Sequence, residues 1–242
     1  MVSEVQSLVK RNLLFFVYPL INSCWPWHFK KLEEYRHIFN GKKVVVIATD
    51  KHTDDAKKVR AQARFLDPTF VEVKNDPDLW EVPAFHRNLS IFESLNSDEL
   101  LFYAHAKGVR RSTVPECIMA WSECMYTLNL SNAELIDKIS RSYKAIGAFR
   151  HGDHGIGGNW WHYSGTFFWL RHDALFSAQW KTPGTDRFGV ETFPGRIMQL
   201  NESFDLTSGM NFDNMYEVKP SIDRCRKRLE ELIKMDGIDL WC

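Results

Sequence analysis

Four short runs, Leu13–Val17, Val44–Ala48, Thr69–Val73 and Leu100–Tyr103, are rich in apolar and β-branched residues and are separated by stretches of helical period. This alternation constrains the fold more than any other feature of the chain. Consecutive apolar residues fit a strand covered on both faces, whereas a strand with one wet face alternates polar and apolar. Between the first two runs Phe29, Leu32, Arg36 and Phe39 recur at helical spacing and stop at Asn40-Gly41, a helix C-terminus signal. A polar helical stretch from about Thr53 to Ala63 follows the second run, and Val82, Phe85, Leu89 and Phe92 mark a helix after the third. The order βαβαβαβ predicts an α/β, Rossmann-like three-layer fold with a mostly parallel sheet, because parallel strands need crossover helices and those cover both faces.

Past residue 110 the pattern loosens into an elaborated C-terminal half. Thr113 and Pro115 open a helix with Ile118, Trp121, Met125 and Leu128 on its apolar face. A short helix over about 132–141, a strand at Ala145–Phe149, a glycine-rich loop at His151–Asn159 and an aromatic strand at Gly165–Leu170 come next. A charged helix carries Ile222, Leu229, Leu232 and Ile233 on one face. No repeat, low-complexity tract or linker divides the sequence, so residues 1–242 read as a single domain. Its first half, about 12–110, has the nucleotide-binding pattern, and acceptor or catalytic elaboration is expected in the second, about 111–242.

Composition narrows the class of function. With 242 residues and 44% hydrophobic content the chain can bury a sizeable core, which excludes disorder as its main state. Thirty-one Lys and Arg balance 31 Asp and Glu, leaving no overall field to hold a nucleic acid or an anionic membrane. The most apolar run, Leu13–Ile21, is too short to span a bilayer and contains Pro19. It reads as a buried first strand rather than an integral membrane segment or a signal peptide. Basic residues across Arg224–Arg228 stand beside Glu230 and Glu231, which suits a solvated helix face better than a docking surface. Cys24, Cys117, Cys124, Cys225 and Cys242 contain no C-x-x-C and form neither a disulfide framework nor a zinc site, as expected of a reduced, cytoplasmic protein. The 9 Trp, 7 Tyr and 17 Phe fit either a sugar-stacking surface or a large aromatic core.

In open parallel sheets ligands sit beyond the carboxyl ends of the strands. Tyr18-Pro19, Thr49-Asp50, Asn75-Asp76 and His105-Ala106-Lys107-Gly108 fall there. The last puts two donor or cationic side chains at a strand end, followed by a glycine that lets the backbone turn away. A lysine there suits a diphosphate, whose charge grows as a phosphate leaves. A solvated lysine and a strand-capping histidine are the plainer alternative. Glycine spacing of the dinucleotide or P-loop kind is missing. For a metal, Asp76-Pro77-Asp78 is the one D-x-D in the chain, but it follows the third run, where a helix cap is expected, and its proline restricts how the carboxylates converge. His151, Asp153, His154 and His162 offer a second set of metal ligands.

Along Asn159–Trp169, simple alternation puts Tyr163, Gly165, Phe167 and Trp169 on one face and His162, Ser164, Thr166 and Phe168 on the other. Ser164 and His162 lack a nucleophile elbow, and residues two apart on a strand make a poor nucleophile–base pair. Glu191, within Gly189–Gly195, stands just before a helix start, either as a helix-terminal anion or as a general base.

Tyr18-Pro19 with Trp25-Pro26-Trp27, Phe39-Asn40-Gly41-Lys42-Lys43, His105-Ala106-Lys107-Gly108-Val109, the segment Trp161 to Trp169, and Gly189-Val190-Glu191 through Pro194-Gly195 carry a resemblance. Together they resemble a group of glycosyltransferase-like proteins with a GT-A-type nucleotide-sugar fold, associated with polysaccharide and surface-glycan synthesis. The resemblance covers roughly residues 13–200. It implies a hexosyltransferase-like transfer from a nucleoside diphosphate sugar donor to a glycan, lipid-linked or protein acceptor. By position, His105 and Lys107 would stand where related enzymes keep metal-binding aspartates, so side chains would stabilise the departing diphosphate with no cofactor required. Mn or Mg remains an alternative, through Asp76, Asp78 or Asp153, since the sequence departs from the group in lacking a well-placed D-x-D. Tyr18 and Asp50 would lie near the nucleoside, and Trp161, His162, Tyr163 and Ser164 would shape the acceptor or sugar subsite. Glu191 would be the base of an inverting reaction. A non-catalytic carbohydrate- or nucleotide-binding module and a His-cluster metallohydrolase are the competing readings.

Overall fold

The run that begins at Leu13 in sequence begins earlier in space: strand β1 spans Lys10–Val17, and every residue in it except Lys10 is buried. Arg11 and Asn12 enter the interior because their polar groups are matched there. Arg11 donates from Nε to the Ile38 carbonyl (2.8 Å) and from its terminal nitrogen to Asp137 (2.7 Å). Asn12 accepts from the Lys42 N–H (2.7 Å) and donates to the Leu100 carbonyl (3.2 Å), bridging β1 to the chain on either side. Helix α1 (Trp25–Glu34), β2 (Lys43–Thr49), α2 (Ala56–Gln62), β3 (Thr69–Lys74), α3 (Val82–Leu89) and β4 (Glu99–His105) follow, in the alternation expected. These four strands lie in the order β3-β2-β1-β4, all parallel. The computed structural model describes residues 9–110, 113–152, 160–210 and 215–235.

The second half supplies α4 (Glu116–Leu130), α5 (Ala133–Ser140), β5 (Ala145–Gly147), β6 (Arg150–His151), β7 (His162–Tyr163), β8 (Phe168–Arg171), α6 (His172–Ser177), α7 (Phe193–Ile197), β9 (Ser203–Asp205) and α8 (Ile222–Lys234). The sheet continues past β4 as β8-β5-β9, with β8 antiparallel to both neighbours and β9 parallel to β5. Strands β6 and β7 form a separate antiparallel ribbon. The architecture is therefore α/β with a seven-stranded, mostly parallel sheet. Edge-on aromatic contacts define the layers. Phe29 of α1 meets Phe15 and Tyr126 of α4 meets Phe167 on one face, while Phe85 of α3 meets Tyr103 and Phe193 of α7 on the other.

Three sequence expectations need correction. The aromatic segment is not one strand: it breaks between β7 and β8 at Ser164–Thr166, where Gly165 (φ +94°) and Thr166 (φ +65°) take left-handed backbone. Tyr163 therefore ends beside Phe168 rather than on the face it was expected to share with Trp169. Strand β5 stops at Gly147, and Phe149 turns with φ +59°. Helix α8 buries Cys225, Leu229 and Leu232, but Ile233, at the rim of that face, is 47% exposed. Trp25, Trp121, Trp161, Trp169 and Trp180 are buried, so most of the tryptophan serves the core. Cys24, Cys117, Cys124 and Cys225 are free thiols, and Cys242 lies outside the described residues. Among the described residues no helix is long and apolar enough to cross a membrane.

Candidate active site

At the carboxyl edge of β1 and β4 lies a cavity of about 340 Å³. Phe16 and Tyr18 reach it from the end of β1, and the segment Ala106–Arg110 lines it where the chain leaves β4. Trp80 and Glu81 come from ahead of α3, and Arg187 and Glu191 from ahead of α7. His105, Lys107, Tyr18 and Glu191, singled out from sequence, thus share one cavity.

The loop after β4 is held by its backbone. Gly108 has φ +86°, and a Cβ there would stand 3.0 Å from the Val114 side chain, so the turn needs glycine. The Lys107 carbonyl accepts a hydrogen bond from His28 Nε2 (2.9 Å). His28 is fully buried, and burial drives its pKa down to about 3, so the ring is neutral. With its proton on Nε2, Nδ1 accepts from the Tyr126 hydroxyl (3.0 Å). The Lys107 ammonium sits 3.9 Å from the centre of the Trp121 ring and 5.7 Å from that of Tyr216, a cation–π arrangement.

His105 Nδ1 lies 2.9 Å from Glu81 Oε1. Burial alone would raise the Glu81 carboxyl, but the His105 ring and its hydrogen bond, helped by Arg110, bring it below its ordinary value. Glu81 is then an anion that accepts a hydrogen bond from His105 Nδ1–H and fixes the imidazole. At the other end of the cavity the Tyr18 hydroxyl donates to Asp50 Oδ2 (2.9 Å), and Asn75 Nδ2 donates to the same oxygen (3.0 Å). Burial opposes the Asp50 charge, yet hydrogen bonds from the His52 N–H, Tyr18 and Asn75 outweigh it and hold that carboxyl below the usual range. Tyr18 is pushed up to about 12 by burial and by Asp50. Tyr18 lines the cavity, with Asp50 behind it.

Glu191 Oε1 accepts the Gly165 N–H (2.9 Å), so the turn that breaks the aromatic segment is also what orients the carboxylate. Its segment is fixed by close backbone packing: a Cβ on Gly195 would stand 2.0 Å from the Trp161 carbonyl oxygen. The Trp161 indole donates to the Met198 carbonyl (2.9 Å). Trp161 therefore braces α7, and Tyr163, fully buried, donates to the Phe204 carbonyl (2.8 Å). His162 is 2% exposed, stacks on His151 at 5.5 Å and approaches Ser164 Oγ at 3.3 Å. Trp161, His162, Tyr163 and Ser164 do not line the cavity; Thr166, just past them, does.

Asp76 Oδ1 accepts the N–H groups of Asp78 (3.0 Å) and Leu79 (2.8 Å) and so closes a turn, not the expected helix start, since α3 begins at Val82 after Glu81; neither Asp76 nor Asp78 lines the cavity. Asp153 and His154 lie outside the described residues. Among the described residues no three His, Cys, Asp or Glu side chains gather as a metal centre requires. Sequence reasoning missed Trp80, Glu81, Arg110 and Arg187. Arg110 is one residue past the His105–Val109 motif, and Arg187 four before Glu191, so extending both motifs was the available signal. Nothing in the sequence pointed to Glu81.

No family model matches the chain, and no curated protein matches it. A crystal structure of 4-diphosphocytidyl-2C-methyl-D-erythritol synthase aligns over 93% of this chain and 99% of its own, with 10% identity and a TM-score of 0.40. That likeness is too slight to bear on function.

Proposed function

We propose that the protein is a glycosyltransferase that moves a sugar from a nucleoside diphosphate sugar to a hydroxyl of a glycan, lipid-linked or protein acceptor, with inversion at the anomeric carbon. One observation carries the reading: Glu191, His105, Lys107 and Tyr18, remote in sequence, line a single cavity at the carboxyl edge of the sheet. In this reading the nucleoside lies at the Tyr18–Asp50 end. Glu191 accepts the proton of the acceptor hydroxyl as its oxygen bonds to the anomeric carbon. The bond from that carbon to the diphosphate oxygen breaks, and the nucleoside diphosphate departs with the electron pair. Lys107 and His105 stabilise the charge that grows on it.

The first test is a thermal-shift panel of UDP, GDP, dTDP and CDP, each with and without Mn²⁺. A nucleotide at 100 times its dissociation constant adds roughly 2.7 kcal/mol of stability, which is readily seen. A shift with one diphosphate, equal with and without metal, supports the reading. A shift that requires Mn²⁺ removes the role given to His105 and Lys107. If no nucleotide shifts the protein, the reading is wrong. Glu191→Gln then separates enzyme from binding module: a transferase loses turnover and keeps nucleotide binding, whereas a module has no turnover to lose.

A further inference from the structure

We infer that Arg110 and Arg187, gathered over the indole of Trp80, form a clamp for the diphosphate of the donor. The inference rests on the reading of this cavity as a nucleoside diphosphate sugar site. The Arg110 guanidinium carbon lies 4.1 Å from the centre of the Trp80 ring and 5.5 Å from that of Tyr18. The Arg187 carbon lies 5.2 Å from the Trp80 ring and 4.8 Å from that of Phe188. A guanidinium held over an aromatic ring by its charge spends no N–H group on that contact and keeps them for phosphate oxygens, which it can grip in pairs.

Among the described residues neither arginine makes an ion pair or a side-chain hydrogen bond, while Arg11, Arg60, Arg150 and Arg171 all do. On the cavity wall Arg110 and Arg187 stand with the carboxylates of Glu81 and Glu191. Glu81 is engaged by His105, and Glu191 takes the Gly165 N–H. Two like charges held over one ring repel each other unless an anion lies between them.

Trp80 itself is held in an unusual state. Its backbone has φ +54°, a left-handed conformation that costs a non-glycine residue roughly 1–2 kcal/mol and persists only where its surroundings impose it. The preceding turn does so, through the hydrogen bonds to Asp76 Oδ1 and the one from Trp80 Nε1 to the Pro77 carbonyl (3.1 Å). Position completes the case. Arg110 touches Tyr18, which bonds Asp50 at the nucleoside end, and Arg187 shares its turn with Glu191 at the reacting end. The link between nucleoside and sugar is the diphosphate.

The test is calorimetric titration with inorganic pyrophosphate in EDTA, on the intact protein and on Arg110→Met, Arg187→Met, both conservative →Lys variants, and Lys58→Met as a remote control. Both arginines are exposed, so thermal unfolding should be unchanged in all variants. Metal-free binding of pyrophosphate is expected, weakened at least tenfold by each methionine, partly restored by lysine and untouched at Lys58. Equal affinity in the methionine variants, binding only after Mg²⁺ is added, or no binding at all would overturn the clamp. Failure of the parent reading looks different. Loss of pyrophosphate binding in the variants of a protein that turns over no sugar nucleotide leaves the clamp and removes glycosyl transfer. Undiminished nucleoside diphosphate binding in the variants removes the clamp and leaves the transferase.

Discussion

Lowering the pH from 7 to 5 should loosen the loop after β4 through one side chain, His28. In the folded protein its pKa lies near 3 because the ring is fully buried, against an ordinary value of 6.5. The unfolded chain therefore takes up a proton that the folded protein refuses. The contribution of His28 is fully present above pH 6.5 and drains away as the pH falls toward 3. At about 1.4 kcal/mol per pH unit, the loss reaches about 2 kcal/mol by pH 5. His86 and His172, both lowered to about 4 chiefly by burial, act in the same direction. The assay is urea unfolding followed by tryptophan fluorescence at pH 7, 6 and 5, on the natural protein and on His28→Gln. At pH 7 the variant should be less stable by about 1–3 kcal/mol, since the buried Lys107 carbonyl and Tyr126 hydroxyl lose a well-placed partner. That gap should narrow by about 2 kcal/mol at pH 5, because only the natural protein carries this acid penalty. A gap of the same size at both pH values would refute the neutral, buried His28 and with it the account of how Lys107 is positioned.

Three further outcomes are expected. Glu191→Gln should lower turnover by roughly 10²–10⁴ with little change in melting temperature, since an amide oxygen still accepts the Gly165 N–H but takes no proton. Gly195→Ala should destabilise the fold by about 1–3 kcal/mol or more in urea unfolding, because the new methyl meets the Trp161 backbone and no flexible side chain can yield. Arg11→Met should cost about 3 kcal/mol by the same measurement, as it strips the ion pair from Asp137, whose carboxyl burial already pushes up.

The first four strands were legible because both their faces are covered, so that consecutive residues are apolar and the period of the intervening helices stands out. Polar residues blurred the boundaries. Lys10, Arg11 and Asn12 look like a flanking loop, yet two of them are buried, matched by Ile38, Asp137, Lys42 and Leu100, partners 27 to 126 positions away that no local pattern reveals. The aromatic segment misled for a different reason. A period of two was present from Tyr163 to Trp169, but the left-handed turn at Gly165 and Thr166 broke it, and threonine gives no warning of positive φ. The site divides the same way. Side chains at and just past the ends of β1 and β4 follow the general rule for parallel sheets, Arg110 included, while Glu81 and Arg187 reach the cavity through long-range folding.

The motif residues that do not touch the cavity still have a physical reason to matter. Lys107, Glu191 and Trp80 sit on irregular backbone, and each of those segments is pinned by a specific contact. His28 fixes the carbonyl of Lys107, the Gly195–Trp161 approach fixes the segment of Glu191, and Asp76 Oδ1 sets the turn of Trp80. Displacing a reacting group by an ångström costs rate as surely as deleting it. The two kinds of residue should therefore separate experimentally. Substituting His28, Trp161 or Gly195 should lower stability and turnover together, whereas changing Glu191, Arg110 or Arg187 should lower turnover or binding at nearly constant stability. If Trp161→Phe, which loses the bond to Met198, left both stability and turnover intact, the brace would be an accident of packing and the subsite role implied by resemblance would regain its claim on that residue.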